Sequence, residues 1–207
     1  MQIYKKLLSK YGHQHWWPVS GQVDPFLEIS VGAILTQNTS WKNVEKAISN
    51  LLSASVLDWK TLLYIDEQYL GNLIKPAGFY RRKSKTIKNF VKTVSSIDKK
   101  SITRETLLNI NGIGKETADS ILLYGLNKPT FVIDAYTKRL FYRLDLITQN
   151  IKYDELQRII QRKIPEDVSI YKEYHALIVE HGKTHCKTKP LCIDCPLEDI
   201  CNKNGII

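Results

Sequence analysis

All four cysteines of the chain, Cys186, Cys192, Cys195 and Cys201, fall within sixteen consecutive residues. Thiols so crowded suit the ligation of one metal centre better than a disulfide framework, which would be spread over a secreted domain. A second chemical stretch lies upstream, where Asn111-Gly112-Ile113-Gly114 separates an apolar turn from a helical pattern running from Lys115 to Tyr124 that Gly125 can stop. Gly112 and Gly114 admit backbone angles closed to other residues, and they leave a bare turn whose N–H groups point outward at a helix start. Such a turn binds an anion, and a DNA phosphate fits it; an ordinary helix connection is the plainer alternative. The third stretch is Asp134, after the strand-like run Phe131-Val132-Ile133 and before a helical pattern from Ala135 to Leu144. A carboxylate there is most simply an N-cap.

The order Gly-Ile-Gly, helix, Pro129, apolar run, Asp134 resembles the helix-hairpin-helix DNA glycosylases. The tail Cys-x5-Cys-x2-Cys-x5-Cys resembles the iron–sulfur loop of their endonuclease III branch, whose usual first gap is one residue longer. The resemblance spans about residues 22–201. It implies that Asp134 is catalytic and that the partner is double-stranded, damaged DNA. It also implies a [4Fe–4S] cluster on Cys186, Cys192, Cys195 and Cys201, with zinc as the alternative. The cluster's expected role is structural, because glycosidic hydrolysis moves no electrons. His181 and His185 read as surface or helix-end residues, and Lys183, Lys187 and Lys189 as a basic surface for the DNA backbone.

Breaking an N-glycosidic bond develops positive charge on the sugar, which a nearby anion stabilises, and hydrolysis needs a positioned water. By the resemblance Asp134 supplies both, acting on a nucleotide flipped out of the stack. Gln37 is then the candidate side chain for the vacated gap, although a polar helix end explains it equally well. Bifunctional members carry a lysine two residues after the second glycine, which attacks the sugar as an amine. Here Gly114 is followed by Lys115 and then Glu116, so the nucleophile position holds a carboxylate and hydrolysis without strand cleavage is expected. Lys115 lies about 100° round the helix from that position. A helix dipole alone also favours Glu116 in a first turn.

Trp16, Trp17, Pro18 and Trp41 offer flat apolar faces of the kind that hold an extruded base, and a cationic alkylated purine gains further from cation–π attraction. Trp-Trp-Pro, Gln-Asn-Thr-x-aromatic, Pro-x-Gly-Phe-Tyr and Gly-Ile-Gly-Lys-Glu together resemble the 3-methyladenine glycosylases of this superfamily. That resemblance implies a base pocket lined by Trp16, Pro18, Trp41 and Glu116; tryptophans serving only as core are the alternative. Those relatives often lack a cysteine cluster, so the chain mixes features of two branches. Other readings stay open: a glycosylase/lyase using Lys115 or another amine, a mismatch-specific thymine or adenine glycosylase, a non-catalytic hairpin DNA-binding protein, and a redox sensor.

The elements that must position these residues are helical. Asp24-Pro25 opens a strongly apolar helix, Val44 to Leu52 gives a second stripe, and Asp58 and Asp66 each start a short helix. Five cations fall between Arg81 and Lys88 on a helix whose Ile87, Phe90, Val91 and Val94 face inward, and Lys83 and Lys85 are candidate contacts to the DNA backbone. Further helices are expected at 2–11, 153–163 and 168–182. The fold class is therefore all-α. By the resemblance it makes two helical lobes, 22–132 around the hairpin and 1–21 plus 133–207 carrying the cysteine loop 186–201. The 207 residues carry 30 Lys and Arg against 21 Asp and Glu, a net +9 that suits a polyanion. No apolar run reaches a membrane span and the N-terminus lacks a signal-peptide core, so the expected compartment is cytoplasmic, at the nucleoid in a prokaryote. No membrane partner is expected, and with no clear oligomerisation surface a monomer is the default.

Overall fold

The computed structural model describes residues 1–206, and among these all regular structure is helical, with no strand. Two compact units divide the chain: one is Trp17–Asn127, the other joins Met1–Trp16 to the chain from Lys128 onward. The discontinuous unit begins with α1 (Gln2–Tyr11). The continuous unit follows with α2 (Pro25–Leu35), α3 (Trp41–Ser53), α4 (Trp59–Tyr64), α5 (Glu67–Leu73), α6 (Tyr80–Val94), α7 (Arg104–Leu108) and α8 (Lys115–Ser120). The discontinuous unit resumes with α9 (Ala135–Arg143), α10 (Tyr153–Lys163) and α11 (Val168–Thr184).

In the continuous unit the centre is α2. Asp24 caps it by accepting the Phe26 N–H at 3.0 Å, Pro25 occupies a first-turn position, and every residue from Phe26 to Leu35 is buried. Leu27, Val31, Ile34 and Leu35 join Val44, Leu51, Leu62, Leu70, Phe90 and Ile121 in one core, where each such side chain contributes roughly 1.5–3 kcal/mol by leaving water. The expected caps at Asp58 and Asp66 are formed, on Thr61 N–H at 3.0 Å and Tyr69 N–H at 2.8 Å.

The helix expected from Lys115 to Tyr124 is α-helical only to Ser120; Ile121–Gly125 forms a π turn. Ser120 Oγ donates back to the Glu116 carbonyl at 2.8 Å, a bond that bends helices. Gly125 in the π turn lies against α2, where a Cβ would stand 3.0 Å from Phe26 Cδ2.

In the discontinuous unit α11 packs on α1 and α9, burying Leu7, Leu140, Leu177 and Ile178. The strand-like run Phe131–Ile133 is extended but has no partner strand. Side chains of α10 take its backbone groups instead: Gln161 Oε1 accepts from Phe131 N–H at 2.9 Å, Gln157 Nε2 donates to Phe131 O at 2.7 Å, and Tyr153 Oη accepts from Ile133 N–H at 3.3 Å. Buried backbone groups need partners, and glutamines reach as far as a neighbouring strand would.

Candidate functional site

The hairpin between α7 and α8 is fixed from inside. Arg104 at the start of α7 makes a bidentate pair with the fully buried Asp119 of α8, Nε to Oδ1 at 2.7 Å and Nη2 to Oδ2 at 3.0 Å. Gly112 has φ +95°, and a Cβ there would also collide with Thr86 Oγ1 of α6; no other residue fits. Gly114 differs from the expectation, because its φ of −94° is open to any residue and nothing lies within 4 Å of where a Cβ would stand. Its use is to leave the outer face of the turn bare. Lys115 and Glu116 are both exposed in the first turn of α8. Gln37, half-buried beyond the end of α2, donates through Nε2 to the Gly112 carbonyl at 3.0 Å and to Thr117 Oγ1 at 3.1 Å. The side chain expected in the DNA gap thus braces the hairpin here.

The two lysines expected on the DNA backbone part company. Lys85 is exposed on the helix that touches the hairpin through Thr86. Lys83 is only 3% exposed, and its Nζ donates to the carbonyls of Leu35 and Ala77, both at 2.8 Å. Burial pulls its pKa down to about 8. Lys83 is therefore a clamp on the end of α2, not a phosphate contact.

Of the expected pocket residues, Pro18 and Trp41 share a cleft of about 370 Å³ within the continuous unit, together with Trp17, Glu28, Glu45 and Ile48. Trp17 lies over Gly32, where a Cβ would stand 3.4 Å from the indole, and meets Trp41 edge-on at 5.3 Å and 83°. Trp16 does not line this cleft. It packs edge-on against His175 of α11 at 5.9 Å, with Lys183 Nζ 5.4 Å from the centroid of its ring. Two adjacent tryptophans facing different cores resolve the Trp-Trp step, and Trp17 takes the place expected of Trp16 beside Trp41.

Asp134 caps α9, accepting the Thr137 N–H on Oδ1 at 2.7 Å. It is buried, and its Oδ2 faces His175 Nε2 at 3.5 Å. Burial alone would raise its pKa, but the imidazole of His175 close by and the Thr137 N–H outweigh it, so the carboxyl is held below the ordinary carboxylate range. The site offers a carboxylate that stays ionised in an apolar setting. His175 escaped the sequence reading because it lies far along the chain, inside an apolar helical run with no motif around it.

The cysteine loop is organised by α9 as well. Arg143 Nη1 donates to Cys186 Sγ at 3.3 Å and to Lys187 O at 2.6 Å, and Nη2 donates to Thr188 O at 3.0 Å, while Arg139 Nε donates to Cys186 O at 2.7 Å. Burial pushes the Cys195 and Cys201 thiols up, and the charges of the neighbouring cysteines push them further. An arginine is thus aimed at one of the four sulfurs. Among the described residues, no group of three His, Cys, Asp or Glu side chains closes on a single ion. His181, expected at the surface or a helix end, lies in the last turn of α11 but is 1% exposed, and burial drives its pKa down to about 4. It sits with Tyr11, whose Oη lies 2.9 Å from His181 Nδ1 and 2.8 Å from His185 Nδ1.

A helix-hairpin-helix turn with a buried carboxylate following it defines a class. Residues 31–166 match the HhH-GPD superfamily of base excision DNA repair proteins, and the chain belongs to that family as a DNA glycosylase. It is 52% identical over 211 residues to the Methanocaldococcus jannaschii protein named "Putative DNA repair glycosylase MJ1434", covering 97% of this chain and 94% of that one. Endonuclease III of Thermotoga maritima is 26% identical over 203 residues, 97% of this chain and 91% of that protein. Among solved structures, the H. pylori 3-methyladenine DNA glycosylase MagIII, bound to 1,N6-ethenoadenine, matches with a TM-score of 0.76 at 32% identity over 88% of this chain and 96% of that one. Endonuclease III trapped as a covalent intermediate on DNA matches at 0.83 and 20% identity over 97% and 92%, which is a likeness of fold.

Proposed function

We propose that the protein is a monofunctional, monomeric DNA glycosylase that extrudes an alkylated purine such as 3-methyladenine from duplex DNA and hydrolyses its glycosidic bond. The observation that carries the reading is Asp134, a buried carboxylate held ionised after the hairpin's helix. As the C1′–N bond breaks, its charge stabilises the cationic sugar. It also orients water, whose oxygen bonds to C1′ while its proton passes to the carboxylate. Glu116 stands where a lyase would need an amine, and it has no means of forming a Schiff base. The hairpin glycines Gly112 and Gly114 with Lys115 and Lys85 hold backbone phosphate, Gln37 leaves its brace to fill the gap, and the cleft of Pro18, Trp41 and Trp17 takes the base. The 32% identity to a 3-methyladenine glycosylase supports the substrate class.

Cys186, Cys192, Cys195 and Cys201 would hold a [4Fe–4S] cluster as thiolates. When bound, the cluster ties the loop together and supplies no step of the hydrolysis. Analysis of protein purified without oxygen should return about four irons and four sulfides per chain; one zinc and no iron would replace the cluster with the alternative.

Wild type and Asp134→Asn are compared for release of free bases from methylated duplex DNA, with the strand checked for nicks and borohydride added to a parallel reaction. Expected are 3-methyladenine, intact strands and no trapped complex from wild type, and none of the base from the variant. A borohydride-trapped adduct would favour the second reading, a lyase using Lys115, which the likeness to Endonuclease III keeps in view. Unimpaired release by Asp134→Asn would remove Asp134 from the chemistry.

A further inference from the structure

One oxygen of Asp134 is committed to the fold and the other is not. Oδ1 caps α9 on the Thr137 N–H, while Oδ2 faces Nε2 of His175 at 3.5 Å. His175 is 4% exposed and sits in the middle of α11. Its imidazole is clamped on two sides, edge-on to Trp16 at 5.9 Å and 71° and edge-on to Phe131 at 6.5 Å and 87°. Phe131 belongs to the same extended run as Asp134, and its ring packs in turn on Tyr171 and Tyr174 of α11. The carboxylate and the imidazole are therefore held by one aromatic cluster, and neither side chain can swing without the other's support moving.

We infer that His175 is the positioning residue of this glycosylase: its Nε2–H aims Oδ2 of Asp134 at the reacting sugar and stabilises the negative charge on that oxygen. The inference rests on the reading of Asp134 as the carboxylate of the hydrolysis. A reactive group is only as well placed as the groups behind it, and a buried side chain locked by packing is the support such a carboxylate needs. A separation of 3.5 Å is long for a hydrogen bond, as is common before substrate binds and tightens the site. In the neutral ring the role requires the proton on Nε2.

Other ionisable groups on the same elements are engaged elsewhere. Tyr174 on α11 has its phenol pushed up by burial and stays neutral. Tyr153 of α10 has its hydroxyl at the Ile133 N–H. On α9, Arg139 is committed to the Cys186 and Gly182 carbonyls. Lys183 of α11 lies over Trp16. With His175 removed, Asp134 loses the neighbouring imidazole that lowers its pKa and keeps the burial that raises it. Its carboxylate would then protonate at higher pH, and the acid limb of the rate profile must move up.

The test is single-turnover base release against pH, with a duplex carrying a base that wild type releases, methylated purine first. His175→Phe keeps a flat ring between Trp16 and Phe131 and removes the N–H; His175→Gln restores a donor of similar reach. Affinity for an abasic duplex is measured alongside. Expected for the Phe variant are a rate lowered roughly 10- to 100-fold, an acid limb displaced to higher pH, partial recovery with Gln, and unchanged affinity. A lowered rate with the limb unmoved and Gln no better than Phe would make His175 a packing residue, and a wild-type profile would dismiss it altogether. Should the Phe variant fail to fold, His175→Met takes its place. Asp134→Asn in the same series separates the two ideas: if it remains active the hydrolytic reading itself fails, whereas an inactive Asn variant beside a wild-type Phe variant sinks only the pairing.

Discussion

The hairpin at residues 111–114 and the turn at Asp134 both lead into a helix, yet they are built in opposite ways. At the hairpin the surface proposed to work is backbone, stripped of side chains and exposed, and its ion-paired brace, Arg104 with Asp119, lies close by in the chain, with Gln37 reaching in from the end of α2. At Asp134 the group proposed to work is a buried side chain; the Thr137 N–H holds one oxygen locally, and the rest of its support comes from far away: Gln157 and Gln161 of α10 fix the run that delivers it, and His175 of α11 faces its second oxygen. A backbone site tolerates exposure because N–H groups need only a partner at the moment of binding, whereas a buried charge must be compensated permanently. The two sites should therefore fail differently when they are cut.

The largest difference is expected at Asp134→Asn. Asparagine caps a helix about as well as aspartate, so the melting temperature should hardly change while base release falls by about 10²- to 10⁴-fold. A large drop in thermal stability together with the activity would mean that the carboxylate supports the fold as much as the chemistry, and the contrast would blur.

The two glycines sharpen the hairpin side. Gly112→Ala meets both a left-handed backbone and Thr86, and should cost about 1–3 kcal/mol in a denaturant titration. Gly114→Ala meets neither obstacle; it should melt like wild type yet bind duplex DNA more weakly, because its methyl occupies the bare face. Equal destabilisation by the two would show that the turn is strained throughout, against the division drawn between them.

What was legible beforehand follows the same line. Capping residues at Asp24, Asp58, Asp66 and Asp134 and the apolar stripe of α2 declare themselves locally, so the helices were readable nearly to their ends. The hairpin was readable because glycine at a fixed spacing has few other uses. The π turn at Ile121–Gly125 was not, since nothing in the local sequence distinguishes it from continued α-helix. Nor was the fate of Lys83, which shares a basic run with Lys85 and differs only in which side of α6 it falls on. His175 carries no local mark at all; its importance is created by the fold that brings it to Asp134.

That pair of lysines makes the smallest and most discriminating comparison. Lys83→Met leaves the carbonyls of Leu35 and Ala77 without their donor, and should cost about 1–3 kcal/mol of stability with little change in the salt dependence of DNA binding. Lys85→Met should do the reverse: an unchanged melt, and a plot of log affinity against log salt whose slope falls by about one. The effect on affinity at a single salt concentration is small, so the slope is the quantity to read. If Lys85→Met leaves it untouched, α6 meets no phosphate, and the anion contact belongs to the hairpin backbone and Lys115 alone.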